Sequence, residues 1–120
     1  MNMVLVDTSV WISHLREGSD KLMYLLNKGE VLCHPFIIGE IACGNLKNRS
    51  EIIRLLHALP IAIVAETEEI LQFIENKELM GKGIGYIDIH LLASALLTDA
   101  QLWTIDKKLD NIARKVLLNS

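Results

Sequence analysis

Four acidic residues stand at positions that a folded chain could bring together. Asp7 ends the apolar run of residues 3–6, Glu40 interrupts the apolar stretch "PFIIGEIACG", Asp88 precedes "IHLLAS", and Asp106 follows "LWTI". Carboxylates gathered in one pocket repel, and some take up protons unless a cation offsets them. Hard oxygen donors of this kind select Mg2+ or Mn2+. Magnesium keeps several of its waters, so an acidic pocket can hold a water poised to attack a phosphodiester. No zinc pattern competes: His14, His34, His57 and His90 fit no HExxH-type spacing. His90, two residues after Asp88, reads as a packing or surface residue near the acids.

Each acid also has a plainer role. Aspartate is among the best helix N-caps, contributing about 0.5–2 kcal/mol, and Asp7, Asp88 and Asp106 all stand at expected helix starts. Glu40 alone could face solvent or pair with a lysine. Capping does not account for a carboxylate inside an apolar helix, an expensive place without a partner. Nor does it account for Asp7, because Thr8 or Ser9 can take the cap and leave Asp7 free. The local stretches leave both readings open.

The elements that must position these residues follow from periodicity. Residues 3–6 and 31–33 read as short buried strands, 61–64 as a third, and 101–105 as a last. Helices are expected over residues 8–16, from a cap at Ser19 or Asp20 to Asn27 with Gly29 as its stop, and over 36–43 with Pro35 at the first position. Further helices are expected over 51–59, ended by Pro60, and from a cap at Thr67. A glycine-bearing loop over 81–88 precedes an apolar helix over 89–97, and Asp106 opens a closing helix to about Leu118. Strands alternating with helices imply an α/β fold whose right-handed crossovers place helices on both faces of a mainly parallel central sheet. The carboxyl ends of such strands face one crevice, where Asp7 and Asp106 would meet.

At 120 residues, with 51% hydrophobic and 22% charged, the chain fits one globular domain spanning 1–120. No apolar run approaches the roughly 18 residues of a membrane span, and no secretory pattern is visible, so the cytoplasm is expected. Cys33 and Cys43 match no zinc or redox motif and read as two buried, reduced thiols. The net charge of −3 argues weakly against a nucleic-acid partner. Placing four of the fifteen acids in a metal site leaves fewer acids than the twelve basic residues, so charge decides little.

"LVDTSVWI", Glu40, "GIGYIDIHLLAS" and "LWTIDKKL" together resemble the PIN-domain ribonucleases, and more narrowly the VapC toxins of bacterial and archaeal toxin–antitoxin pairs. The resemblance runs through nearly the whole chain, in order and at the family's usual size. It implies a three-layer α/β/α fold and a metal-dependent endoribonuclease with Asp7, Glu40, Asp88 and Asp106 as its catalytic acids. Asp7, Asp88 and Asp106 would ligate Mg2+ or Mn2+, with Glu40 acting through water. Thr8, Ser9 and Thr104 would hydrogen-bond the carboxylates or the substrate phosphate, and Lys82 is the preferred contact to the RNA backbone. Arg16, Lys47, Arg49 and Lys107 are further basic candidates. The partners implied are RNA, a cognate VapB-like antitoxin that sets an Arg against the carboxylates, and a second copy in a homodimer. Asp99 departs from the small residue common there in relatives. It should lie about 16 Å from Asp88 along one helix, as a surface acid.

The rival readings use other features. A non-catalytic PIN-like module binding RNA or protein would not need all four acids. A receiver-like domain would need paired acids at the first strand's end, and a haloacid-dehalogenase-type phosphatase a second Asp where Ser9 stands. Trp11 and Trp103 could stack on bases, but both sit in apolar segments and read as core.

Overall fold

The computed structural model describes residues 2–117. Among them the chain forms three strands and seven helices, in the order β1 (Val4–Val6), α1 (Thr8–Glu17), α2 (Asp20–Asn27), β2 (Val31–Leu32), α3 (Pro35–Cys43), α4 (Arg49–Ala58), α5 (Thr67–Lys77), α6 (Tyr86–Thr98), β3 (Gln101–Trp103) and α7 (Lys107–Val116). The sheet runs β2-β1-β3 and is parallel throughout, with Leu5 opposite Leu32 on one side and Leu102 on the other. Val4, Leu5 and Val6 are all buried. Successive strand residues point to opposite faces, so burial of all three requires helices on both faces, which is the expected three-layer arrangement. One continuous core joins the strands to Trp11, Leu22, Ile37, Ile41, Leu91, Leu92 and Leu109. No helix among the described residues is long and apolar enough to cross a membrane.

Local chemistry sets most boundaries. Ser19 caps α2, its hydroxyl accepting the Leu22 N–H at 3.2 Å. Pro35 occupies the first turn of α3 as expected, and His34 caps that helix by accepting the Phe36 N–H on Nδ1 at 3.0 Å. Gly29 follows α2 with φ 68°, the left-handed turn that favours glycine.

Several expectations are corrected. The strand over 61–64 reduces to a single bridge between Ile61 and Cys33, because the Ile63 N–H turns away to the Thr98 hydroxyl at 2.9 Å. β3 stops at Trp103 because Thr104 leaves the ladder to bond Asp7. The first turn of α6 lies inside the expected loop: Gly85 is the N-cap, and Asp88, at the third helical position, accepts the Gly85 N–H at 3.1 Å. Thr67 is the first residue of α5 and not its cap, a position held by Glu66, whose N–H is bound by the Glu69 carboxylate. α4 begins at Arg49, two residues early, and the expected helix end at Leu118 lies outside the described residues. Cys33 is buried, which pushes its thiol up to about 11, whereas Cys43 is exposed.

Candidate active site

β1 delivers Asp7 to the junction with α1, where it is 7% exposed. Asp7 occupies the N-cap position, yet its carboxylate caps nothing. Neither Thr8 nor Ser9 takes the cap either, contrary to expectation: both hydroxyls turn to carboxylates. Ser9 donates to Asp7 Oδ2 at 2.7 Å, and Thr104 donates to the same oxygen at 2.8 Å. With both protons so placed, the 3.3 Å approach of the two hydroxyls is a contact without a shared proton. Each hydroxyl also accepts from the strand-to-helix turn, Ser9 from the Ile105 N–H and Thr104 from the Asp106 N–H. Thr8 donates to Glu40 Oε1 at 2.7 Å, tying α1 to α3.

The other acids are held the same way. Asp106 is a working cap, its Oδ1 accepting the Lys108 and Leu109 N–H groups at 2.9 and 3.2 Å. Asp88 is half-buried and commits Oδ2 to Gly85. Every one of the four carboxylates thus gives one oxygen to the protein, while its second accepts no hydrogen bond from the described residues. Burial raises the Asp88 pKa above its usual range, the Gly85 N–H opposes this, and the charges of Asp7, Asp106 and Glu40 raise it further. Asp88 therefore senses all three of the other acids, which the sequence had scattered from residue 7 to residue 106.

A divalent ion fits this donor set. Among the described residues the only ion pair is Arg114 with Asp110, so none of the four acids is ion-paired within 4 Å. Nor do any three His, Cys, Asp or Glu side chains among the described residues close into a ligand cage. Spaced, half-oriented carboxylates suit an ion that keeps part of its water shell better than one bound by protein alone.

The remaining candidates lie further out. Lys82 is exposed and lines a hollow with Lys77, Glu78, Leu79, Ile112, Lys115 and Val116, which includes none of the four candidate acids. Arg16 and Lys47 border a different hollow, with Ile12, Leu15, Leu46 and Ile52, and Arg49 Nε is engaged by the Ala42 carbonyl. Lys107 is exposed at the start of α7, and Asp99 is an exposed C-cap. Trp11 is core, and Trp103 is half-buried under the Lys21 ammonium, 4.4 Å from its ring. Lys108 was not singled out from sequence. Its side chain lies along Gly83, so near that a Cβ there would stand 3.2 Å from Nζ. His90 is buried, with Tyr86 and Phe36 packed against it. Their i, i+4 spacings, Tyr86 to His90 and Phe36 to Glu40, were the available signal.

Comparison with known proteins identifies the family. A model of the PIN domain matches residues 4–115. Ribonuclease VapC32 of Mycobacterium tuberculosis, from strain CDC 1551 / Oshkosh and from strain ATCC 25618 / H37Rv, is 44% identical over 108 residues, covering 89% of this chain and 87% of the relative. With the match spanning β1 through α7 and every acid of the site, the chain belongs to the PIN-domain family.

Proposed function

We propose that the protein is a Mg2+- or Mn2+-dependent endoribonuclease and the toxin of a VapBC-type pair. The observation that carries the reading is the grouping at Asp88, where burial and three other carboxylates combine and each acid keeps one oxygen open. The name of the relative, a ribonuclease, supports the same reaction class.

Asp7, Asp88 and Asp106 would hold the ion, and Glu40, exposed and fixed by Thr8, would act through water. When bound, a divalent ion supplies positive charge to the phosphoryl oxygens and lowers the pKa of its water. Ser9 and Thr104 fix the orientation of Asp7, and the α7 cap fixes Asp106. Lys108, along Gly83, brings an ammonium to the loop before α6, where it would meet a phosphate. An antitoxin side chain carrying a guanidinium would suit the four acids. A homodimer and a cytoplasmic setting belong to the same reading. Support for the dimer is the exposed apolar group Ile61, Ile63, Val64, Leu96 and Leu97.

Titrating Mn2+ or Mg2+ into an RNA-cleavage assay tests the reaction. The unmodified protein should cleave only with metal, and Asp7→Asn and Asp88→Asn should abolish cleavage. Full activity in either variant, or undiminished activity with chelator, would overturn the mechanism.

A further inference from the structure

Beside the acids lies an aromatic surface that the cleavage chemistry does not use. Tyr86 opens α6, two residues before Asp88, and is 48% exposed. One turn further along the same helix, the buried His90 imidazole meets the Tyr86 ring at 4.7 Å between centroids and 83° between planes. Phe36, half-buried in the first turn of α3, meets that imidazole at 4.7 Å and 70°. It also lies 5.1 Å from the fully buried ring of His34. Phe36 and Glu40 are four residues apart and so share one face of α3. Two rings from two helices thus flank one buried imidazole, each within about a helical turn of a site carboxylate.

This surface suits an unpaired base. Phosphate neutralisation supplies most nucleic-acid affinity, yet this chain carries fewer basic than acidic residues, and its site gathers four carboxylates. Stacking does not depend on the ligand's charge, and every base has a π-face to offer. A base inside an A-form helix hides that face, whereas a looped or single-stranded base presents it. Resting on the ribonuclease reading of the adjoining acids, we propose that Tyr86 and Phe36 form a stacking subsite for an unpaired RNA base next to the phosphate to be cut. His90 is the positioning residue that braces both rings.

A single-stranded oligoribonucleotide carrying 2-aminopurine, mixed with the full chain in excess chelator, reports stacking without cleavage. Binding should quench its fluorescence. Tyr86→Leu should weaken binding about 5- to 100-fold and remove most of the quenching, while Tyr86→Phe and Tyr86→Trp retain both. Phe36→Leu should act in the same direction. The ratio of Kd between Tyr86→Leu and Tyr86→Phe should hold from low to high salt, although each Kd rises with salt. With metal added, Tyr86→Leu should raise KM more than it lowers kcat, because ground-state binding is lost. Unchanged binding and quenching in both leucine variants would overturn the subsite, as would a fully paired duplex binding as tightly as the single strand. Quenched binding by a protein that cleaves no RNA with any metal would support the subsite and overturn only the ribonuclease reading. Metal-dependent cleavage with KM unaffected by Tyr86→Leu would do the reverse.

Discussion

A carboxylate that binds an ion through one oxygen is oriented when the other is held by the protein, and each of the four acids is divided in that way. Residue types alone announced the four acids, since Asp7, Glu40, Asp88 and Asp106 stand out against apolar neighbours or at strand ends. They could not announce which partner holds each. Thr8 and Ser9 are adjacent in the chain yet serve different carboxylates, Glu40 and Asp7, because neighbouring residues at a helix start point in different directions. The Thr104 hydroxyl joins the two strand ends, donating to Asp7 and accepting from the Asp106 backbone. Thr104→Val keeps the volume and loses both bonds. It should lower metal affinity or cleavage about 10- to 100-fold, the usual effect of removing an outer partner of a metal ligand. Thr104→Ser should restore most of it, as metal titration calorimetry and the cleavage assay would both register.

The elements were most legible where a terminal residue carries its own signal, as Ser19, Gly29 and Pro35 do. They were least legible where a distant group decided the outcome. The Thr98 hydroxyl draws Ile63 away from the sheet, and the Asp88 carboxylate extends α6 back to Tyr86, directly after the glycines that read as loop. His34 is another such case, a buried cap on the helix that carries Glu40. Burial first, and His90 second, lower its pKa from 6.5 to about 4. Its neutral Nδ1 is what accepts the Phe36 N–H, and an imidazolium cannot accept. The unfolded chain therefore binds this proton more readily than the folded one. Stability contributed by neutral His34 is complete above pH 6.5 and is lost as pH falls toward about 4, amounting to about 3 kcal/mol. Denaturant midpoints measured across that range should fall with acid less steeply in His34→Gln than in the unmodified protein. Parallel slopes would exclude the role.

For the molecule as a whole, the acid site is a burden on the metal-free fold. A carboxyl whose folded pKa is raised above 3.8 lowers stability as pH rises from 3.8 through the raised value. Asp88→Asn removes the charge and keeps an acceptor for Gly85. Without metal, it should melt above the unmodified protein, by the equivalent of about 0.5–2 kcal/mol, while cleaving no RNA. Adding Mg2+ or Mn2+ should raise the melting temperature of the unmodified protein with concentration and leave the variant nearly unmoved. A variant that melts lower without metal would show that the four charges do not strain the fold. The central position of β1 also sets an order in time. Asp7 is synthesised before the other site residues and Thr104 and Asp106 after them, and Trp103 must pair beside Val6 to bring these two in. A chain that has not yet reached β3 carries at most Asp7, Glu40 and Asp88, without Thr104 and Asp106. On the proposed reading, fragments that stop before β3 should be silent, and cutting should begin only once the final strand has closed against the first.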